Sequence, residues 1–368
     1  MKILHFYKTY QPESFGGIPQ VIFQLAEGCS KQGVESDVLY LSKRGAARNE
    51  PLGQHMTHRS KLDIEIASTG FSFSVIRDFT ELAKQADIIH YHFPWPFMDI
   101  VHFLSRTKKP TVISYHSDIV KQKHLLKLYQ PLLHKFLSTA DAIVAASPNY
   151  VSSSEVLQQH KDRVQVIPYG LAQETYLAPT TERLAYWRER CGEKFFLFVG
   201  ALRYYKGLSW LLKAAAISKL PLIIAGDGGI EVQLKEEADA LGIKHVQFVG
   251  RIDDEDKAAL LTLCYSLVFP SHLRSEAFGI SLLEGAMYGK PLISCEISTG
   301  TTYVNLADKT GLVVPPEDSS ALSIAMVKLW NDEDMASEMG ANARLRYKEL
   351  FSSEQMVSAY IDLYHSLL

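Results

Sequence analysis

Apolar and polar positions alternate on two scales along this chain. Short, nearly unbroken apolar runs recur at Ile3–Tyr7, Val38–Leu41, Ile88–His92, Thr111–Tyr115, Ala142–Ala146 and Val164–Ile167. They recur again at Phe195–Val199, Leu222–Ala225, Val246–Val249, Leu267–Phe269, Leu292–Ser294 and Leu312–Val314. Gly, Pro or Asp bounds most of them, the mark of strands covered on both faces. Between the runs lie longer stretches with helical spacing. The clearest is Leu125, Leu128, Tyr129, Leu132, Leu133 and Phe136 within Val120–Leu137, where Pro131 is expected to bend or break the helix. Strand and helix alternating through two successive halves predict an α/β protein with two doubly wound parallel sheets. The stretch Leu171–Arg190 is mixed and polar and contains Pro179, so the boundary is expected within 171–193, between domains at 1–175 and 190–350. Met356, Tyr360, Leu363 and Tyr364 make 353–368 a terminal amphipathic helix.

Composition narrows the class. The chain has 368 residues, 47% hydrophobic and 21% charged, which is ordinary for a globular protein of two domains. Cys29, Cys191, Cys264 and Cys295 form no C-x-x-C pair and no zinc spacing, and read as reduced thiols in the cytoplasm. No apolar run approaches the ~18 residues of a membrane span. MKILHFY reads as a first strand and not as a signal peptide. The net charge of −3 is uneven: residues 1–180 hold 19 Lys+Arg against 16 Asp+Glu, and the remainder 19 against 25. Nothing in this balance points to nucleic acid. A mildly basic first half is compatible with an anionic surface, and equally with ordinary scatter.

The chemistry concentrates at the predicted strand ends, where open α/β sheets bind their ligands. In FPSHLRSEAFGISLLEGAMYGKP, from Phe269 to Pro291, Glu276 and Glu284 stand eight positions apart on either side of a predicted helix start at Gly279. Helix N-terminal amides attract an anion, and carboxylates accept hydroxyls; a nucleotide-sugar has both parts. Arg203 and Lys206 share the turn after the strand Phe195–Val199 and suit a diphosphate. Gly226, Arg251 and Ile252 lie in turns that can wall a flat base or be plain turns. Gly16 and Gly17 precede a helix predicted at Pro19–Cys29 and allow close backbone approach to a phosphate. His90 and His92 share a strand face, and the aromatic loop around Trp95 suits stacking on an acceptor sugar; no Cys/His set completes a metal site. His116 ends the strand Thr111–Tyr115, either as a reactive group or beside a helix start capped by Ser117 or Asp118. Lys123, Lys127 and His134 line the polar face of the Pro131 helix, as a solvated face or a contact for anionic lipid.

Together these elements resemble the family-4 retaining glycosyltransferases, which have the GT-B architecture of two Rossmann-like domains and an interdomain cleft. The most specific part is E-x7-E, here Glu276 to Glu284, with F-P-S before it and Gly-Lys-Pro after it. The resemblance implies that Glu284 holds ribose hydroxyls and that Glu276, a candidate catalytic residue with His116, lies near the transferred sugar. It places Ala277, Phe278, Gly279 and Ile280 against the donor, and makes Arg203 and Lys206 the diphosphate clamp. Gly16 and Gly17 approach the phosphates from the N-terminal side, His92, Trp95 and His116 face the acceptor, and the last helix crosses back to the first domain. One departure stands out: Ala201 occupies the family's usual arginine position, which puts the contact made by Arg203 in question.

The implied reaction is retaining transfer without a metal or other cofactor, since no D-x-D is placed to hold Mg²⁺. LHFYKTYQPESFGG, HYHFPWPF and YHSDIV resemble bacterial O-antigen and common-polysaccharide mannosyl- and rhamnosyltransferases. That implies a GDP-sugar donor and a polyprenyl-diphosphate-linked saccharide acceptor at the inner face of the plasma membrane. Two other readings stay open on the residues alone: another GT-B enzyme, such as a UDP-sugar-dependent transferase or a UDP-GlcNAc epimerase or hydrolase, and a two-lobed sugar-nucleotide-binding protein without catalysis.

Overall fold

The computed structural model describes residues 1–14, 16–66, 69–119 and 123–368, with the side chains of residues 123–125 outside the description. The chain divides into two units, Met1–Gly170 with Ser353–Leu368, and Leu171–Ser352.

The first unit is built on strands β1 (Lys2–Phe6), β2 (Glu35–Ser42), β3 (Ala47–Leu52), β4 (His55–Lys61), β5 (Ile64–Ile66), β6 (Thr69–Phe71), β7 (Ile88–Phe93), β8 (Thr111–Tyr115), β9 (Ala142–Ala145) and β10 (Val164–Val166). Eight of them form one sheet in the order β10-β9-β8-β7-β1-β2-β4-β3, parallel except for β3, while β5 and β6 pair antiparallel as a separate ribbon. All six apolar runs expected in this half lie in the sheet. Strands β3 and β4 do not follow from apolarity, because ARNEPL and HMTHRSK are polar. Several of their side chains pair with one another or with neighbours: Arg59 donates to Glu50 at 2.7 Å, Ser60 to Asp78 at 2.6 Å and Thr57 to the Glu50 carbonyl at 2.9 Å. Buried polar groups are tolerated when paired in this way.

The second unit carries β11 (Phe196–Val199), β12 (Leu222–Ala225), β13 (Val246–Gly250), β14 (Ser266–Phe269), β15 (Leu292–Cys295) and β16 (Gly311–Val314), all parallel, in the order β13-β12-β11-β14-β15-β16. Each matches an expected run. FLFV in β11 and LIIA in β12 are buried throughout, as strands packed on both faces must be. The order reverses between β11 and β14, the topological switch point beyond which such sheets bind ligands. In the first unit the reversal falls between β1 and β7.

Two helices depart from the expected pattern. Lys123–Thr139 runs through Pro131 as one helix. The polar stretch after Leu171 forms a helix, Thr181–Cys191, anchored by Trp187, which is 2% exposed and donates its Nε1–H to Asp256 at 2.8 Å. The terminal helix Ser353–Ser366 belongs to the first unit, where Tyr360 and Tyr364 are buried and hydrogen-bonded to Ser114 and His90, each at 2.7 Å.

Candidate active site

In the second unit the loops after β11 and β14 meet at the switch point. A Cβ on Gly207 would lie 1.9 Å from the Pro270 carbonyl oxygen, and Gly207 has φ +69°, so only glycine allows the two loops this approach. That contact brings Lys206 to Glu276. Their side chains form an ion pair, 11% and 12% exposed. Ser271 donates to the same oxygen of Glu276, Oε2, at 3.1 Å, and the Lys206 ammonium stands 4.6 Å over the Phe269 ring. Lys206 and Glu276 therefore neutralise one another.

Arg203 is exposed and forms no ion pair among the described residues, which leaves its guanidinium available to an anion. Gly226 has φ +133°, and a Cβ there would lie 2.1 Å from the Gly200 carbonyl oxygen; it closes the β12 loop onto the β11 loop. Arg251 is exposed and Ile252 half-buried just beyond β13. Gly279 precedes the helix Ile280–Met287 with φ +97°, and Ala277 and Ile280 are half-buried on either side of it. Phe278 is 2% exposed, its ring edge-on to Phe351 at 6.1 Å, so the side chain packs inward and only backbone can serve a ligand.

Glu284 lies one helical turn further in and is 4% exposed. Tyr176 donates its hydroxyl to Glu284 Oε1 at 2.8 Å, and the Lys257 ammonium lies 3.1 Å from the same oxygen. Burial pulls the Lys257 pKa down, but the Glu284 and Asp254 carboxylates outweigh it and hold the pKa above the usual lysine value. Neither Tyr176 nor Lys257 is visible as a site residue in the sequence: one lies in the polar stretch of the expected domain boundary and the other sits in an ordinary acidic helix.

The first unit holds a different arrangement. His5 on β1 pairs in register with His90 on β7, and His92 follows on the same face. All three are fully buried, with ring nitrogens within 4.8 Å of one another. His5 Nδ1 shares a hydrogen bond with His92 Nε2 at 3.1 Å, His92 Nδ1 with His116 Nε2 at 3.0 Å, and His116 Nδ1 with the Tyr169 hydroxyl at 2.5 Å. His90 bonds to Tyr364 and to Ser114, each at 2.7 Å. Of this set only the Nε2 atom of His5 has no hydrogen-bond partner. Burial drives every imidazole towards its neutral form: the pKa values of His5 and His116 fall to about 3, and those of His90 and His92 well below the usual value. His5 was not legible as a partner, since 85 residues separate it from His90 and only strand order joins them.

This geometry corrects several expectations. His92 is fully buried with both ring nitrogens bonded, so it presents no surface to an acceptor. Trp95 is 0% exposed, donates Nε1–H to the Gly70 carbonyl at 3.0 Å and packs edge-on to Phe6 at 4.9 Å. It anchors the β5–β6 ribbon and cannot stack on a sugar. His116 is only 4% exposed, and with its ring bonded on both sides it is a held group and not a free base. Asp118 accepts from Tyr115 at 2.8 Å and from Ser154 at 2.7 Å.

Gly16 and Gly17 are exposed at the start of the helix Gly17–Lys31, whose N-cap makes no side-chain hydrogen bond. Lys127 is exposed beside Leu128, itself 82% exposed. His134 instead shares a hydrogen bond with His160 at 3.1 Å, and the side chain of Lys123 lies outside the described residues. Among the described residues no helix is long and apolar enough to cross a membrane.

Comparison with known proteins agrees with the fold and the order of these elements. Residues 15–174 match the model of Glycosyltransferase Family 4, and residues 183–346 that of Glycosyl transferases group 1. D-rhamnosyltransferase WbpZ of Pseudomonas aeruginosa is 56% identical over 353 residues, spanning 96% of this chain and 93% of that protein. O-antigen chain mannosyltransferase C of Escherichia coli is 50% identical over 368 residues, 100% of this chain and 99% of that one. Among solved structures, sucrose-phosphate synthase of Thermosynechococcus elongatus aligns with a TM-score of 0.82 at 21% identity, covering 100% of this chain and 98% of the other. Anabaena HepE in complex with UDP-glucose aligns at 0.79 and 17%, covering all of both chains. Two parallel Rossmann-like sheets, a lysine and two glutamates gathered at one switch point, and end-to-end identity with such relatives lead to one conclusion: this chain belongs to the family-4 glycosyltransferases of GT-B architecture.

Proposed function

We propose that the enzyme moves a hexose, mannose or a 6-deoxyhexose such as rhamnose, from a GDP-sugar to a polyprenyl-diphosphate-linked saccharide in bacterial surface-polysaccharide synthesis. The observation that carries the donor half is the gathering of Lys206, Glu276 and Glu284 at the β11/β14 switch point. The choice of sugar rests on the names of the rhamnosyl and mannosyl relatives, which align with 96% and 100% of this chain.

Breaking the sugar–phosphate bond leaves a nucleoside diphosphate and a sugar with oxocarbenium character. Charge that develops on the leaving phosphate needs preorganised cations and amides. Lys206 and Arg203 supply the cations, with the amides from Phe278 to Ile280 beside them. Before donor binding Glu276 neutralises Lys206. An arriving diphosphate competes for that ammonium and frees Glu276 for sugar hydroxyls, so two charges change partners without either being stranded. The leaving phosphate takes the acceptor proton on the same face of the sugar, giving retention without a metal. His116 acts through its place in the histidine chain, holding the loop after β8, and not as a proton acceptor. Exposed Lys127 and Leu128 suit a cytoplasmic enzyme resting on an anionic membrane surface.

A thermal-shift panel of GDP-, UDP-, dTDP- and ADP-sugars tests the donor, because a ligand that binds only the folded state raises its apparent stability. GDP-mannose or GDP-rhamnose is expected to give the largest shift, and that donor to label a lipid-linked saccharide. A shift confined to UDP-sugars, or release of free sugar alone, would overturn the proposal.

A further inference from the structure

Glu284 is an almost fully buried carboxylate on the helix Ile280–Met287. Taking such a group out of water is costly unless it is paired and hydrogen-bonded. Tyr176, just after the short turn Gln173–Thr175, and Lys257, on the helix Asp254–Leu263, meet that cost from two separate elements. Both contacts fall on Oε1, the hydroxyl at 2.8 Å and the ammonium at 3.1 Å. Among the described residues Oε2 accepts no hydrogen bond. The two donors also brace each other: the Lys257 ammonium stands 5.0 Å over the Tyr176 ring and is held from its far side by Asp254 at 3.2 Å. The Tyr288 ring meets Tyr176 edge-on at 6.5 Å.

An ionised carboxylate only accepts hydrogen bonds, with about two sites on each oxygen. Two donors on one oxygen fix the final torsion of the side chain and leave the other oxygen to a hydroxyl that comes from outside. We propose that Tyr176 and Lys257 are positioning residues that lock Glu284 with Oε2 presented to the ribose diol of the donor, and so set the preference for ribo- over deoxyribonucleotides. This rests on the donor reading above. A carboxylate aimed at a hydroxyl pair discriminates strongly against a ligand lacking it, because the buried acceptor is then left unmatched.

The test measures binding of GDP and 2′,3′-dideoxy-GDP, and of the corresponding uridine pair, by calorimetry to the full chain and to Tyr176→Phe, Lys257→Met, Lys257→Arg and Glu284→Gln. Wild type is expected to favour the ribonucleotide by at least about tenfold. Tyr176→Phe and Lys257→Met are each expected to erase about tenfold of that preference through weaker ribonucleotide binding, as does Glu284→Gln, while the dideoxy affinity stays put. Lys257→Arg is expected to retain the preference. With the donor sugar, KM rises and kcat changes little. An unchanged ratio, or an equal loss for both nucleotides, assigns the two residues to packing and overturns the proposal. A wild type that binds both nucleotides equally well overturns it and leaves the donor reading standing; one that binds no nucleoside diphosphate overturns both. Should Lys257→Met fail to fold, Tyr176→Phe, which removes a single oxygen, decides the matter.

Discussion

Lowering the pH from 7.5 to 5.5 is expected to destabilise the first unit through its buried histidines. His5, His90, His92 and His116 are held neutral by burial, with His5 and His116 at about 3, and His102 is lowered to about 4 by the same cause. In the unfolded chain each returns to about 6.5. A lowered native pKa gives stability that is complete above 6.5 and is lost as the pH falls towards the native value, because only the unfolded state takes up the proton. At pH 5.5 about nine-tenths of each unfolded imidazole is charged, which costs on the order of 1 kcal/mol per histidine, or roughly 5–7 kcal/mol for five. Asp99 acts in the opposite sense: burial raises its pKa well above the usual carboxylate value, despite the Tyr129 hydroxyl bonded to it. One such proton returns at most about 3 kcal/mol over two pH units. The net loss is roughly 2–4 kcal/mol, a large share of the ~5–15 kcal/mol that holds a domain together.

Trp95 is the one tryptophan of the first unit, so fluorine NMR of 5-fluorotryptophan-labelled protein follows this unit separately in urea. Potentiometry is expected to find about three to four protons taken up on its unfolding at pH 5.5. A Trp95 midpoint that is the same at both pH values refutes the reasoning, and with it the neutral histidine chain.

Other substitutions probe separate parts. Glu276→Ala is expected to abolish transfer by about a hundredfold or more while nucleoside-diphosphate binding, read by calorimetry, holds within a few fold. Combining Arg203→Ala with Lys206→Ala is expected to weaken that binding by about tenfold per lost charge-assisted contact, and an unchanged affinity rejects the clamp. Trp95→Ala is expected to cost about 3–5 kcal/mol in denaturant melts without altering the KM for acceptor in the folded fraction; a selective rise in acceptor KM restores the stacking role. Lys127→Glu is expected to reduce sedimentation with anionic vesicles and leave neutral vesicles unaffected.

Much of the architecture was legible because buried parallel strands announce themselves. Every one of the twelve apolar runs became a strand, since a strand covered on both faces has no polar alternative. Four strands escaped, β3 to β6; of these β3 and β4 are polar and depend on partners such as Asp78 and Glu50, which no local pattern reveals. The placement of Glu276, Glu284, Arg203 and Lys206 after β11 and β14 was also readable, because loops at the ends of alternating β and α elements fall at one edge of a parallel sheet by topology alone.

What the sequence could not decide is which side chains of that edge are available. Trp95 and His92 carry the residue types of a binding loop, yet the register of β7 against β1 and β8 turns His92 into the core, and Trp95, just beyond β7, is buried against Phe6 and the Gly70 carbonyl. Burial, not residue type, makes His116 a bonded member of a chain that begins at His5. Tyr176, after a short turn, and Lys257, on a helix, reach Glu284 only because segments far apart in sequence are brought together by the fold. Order along the chain determined the sheets and the edge where chemistry gathers. Partners, exposure and charge at that edge were left to tertiary packing, because each depends on groups brought together from distant positions.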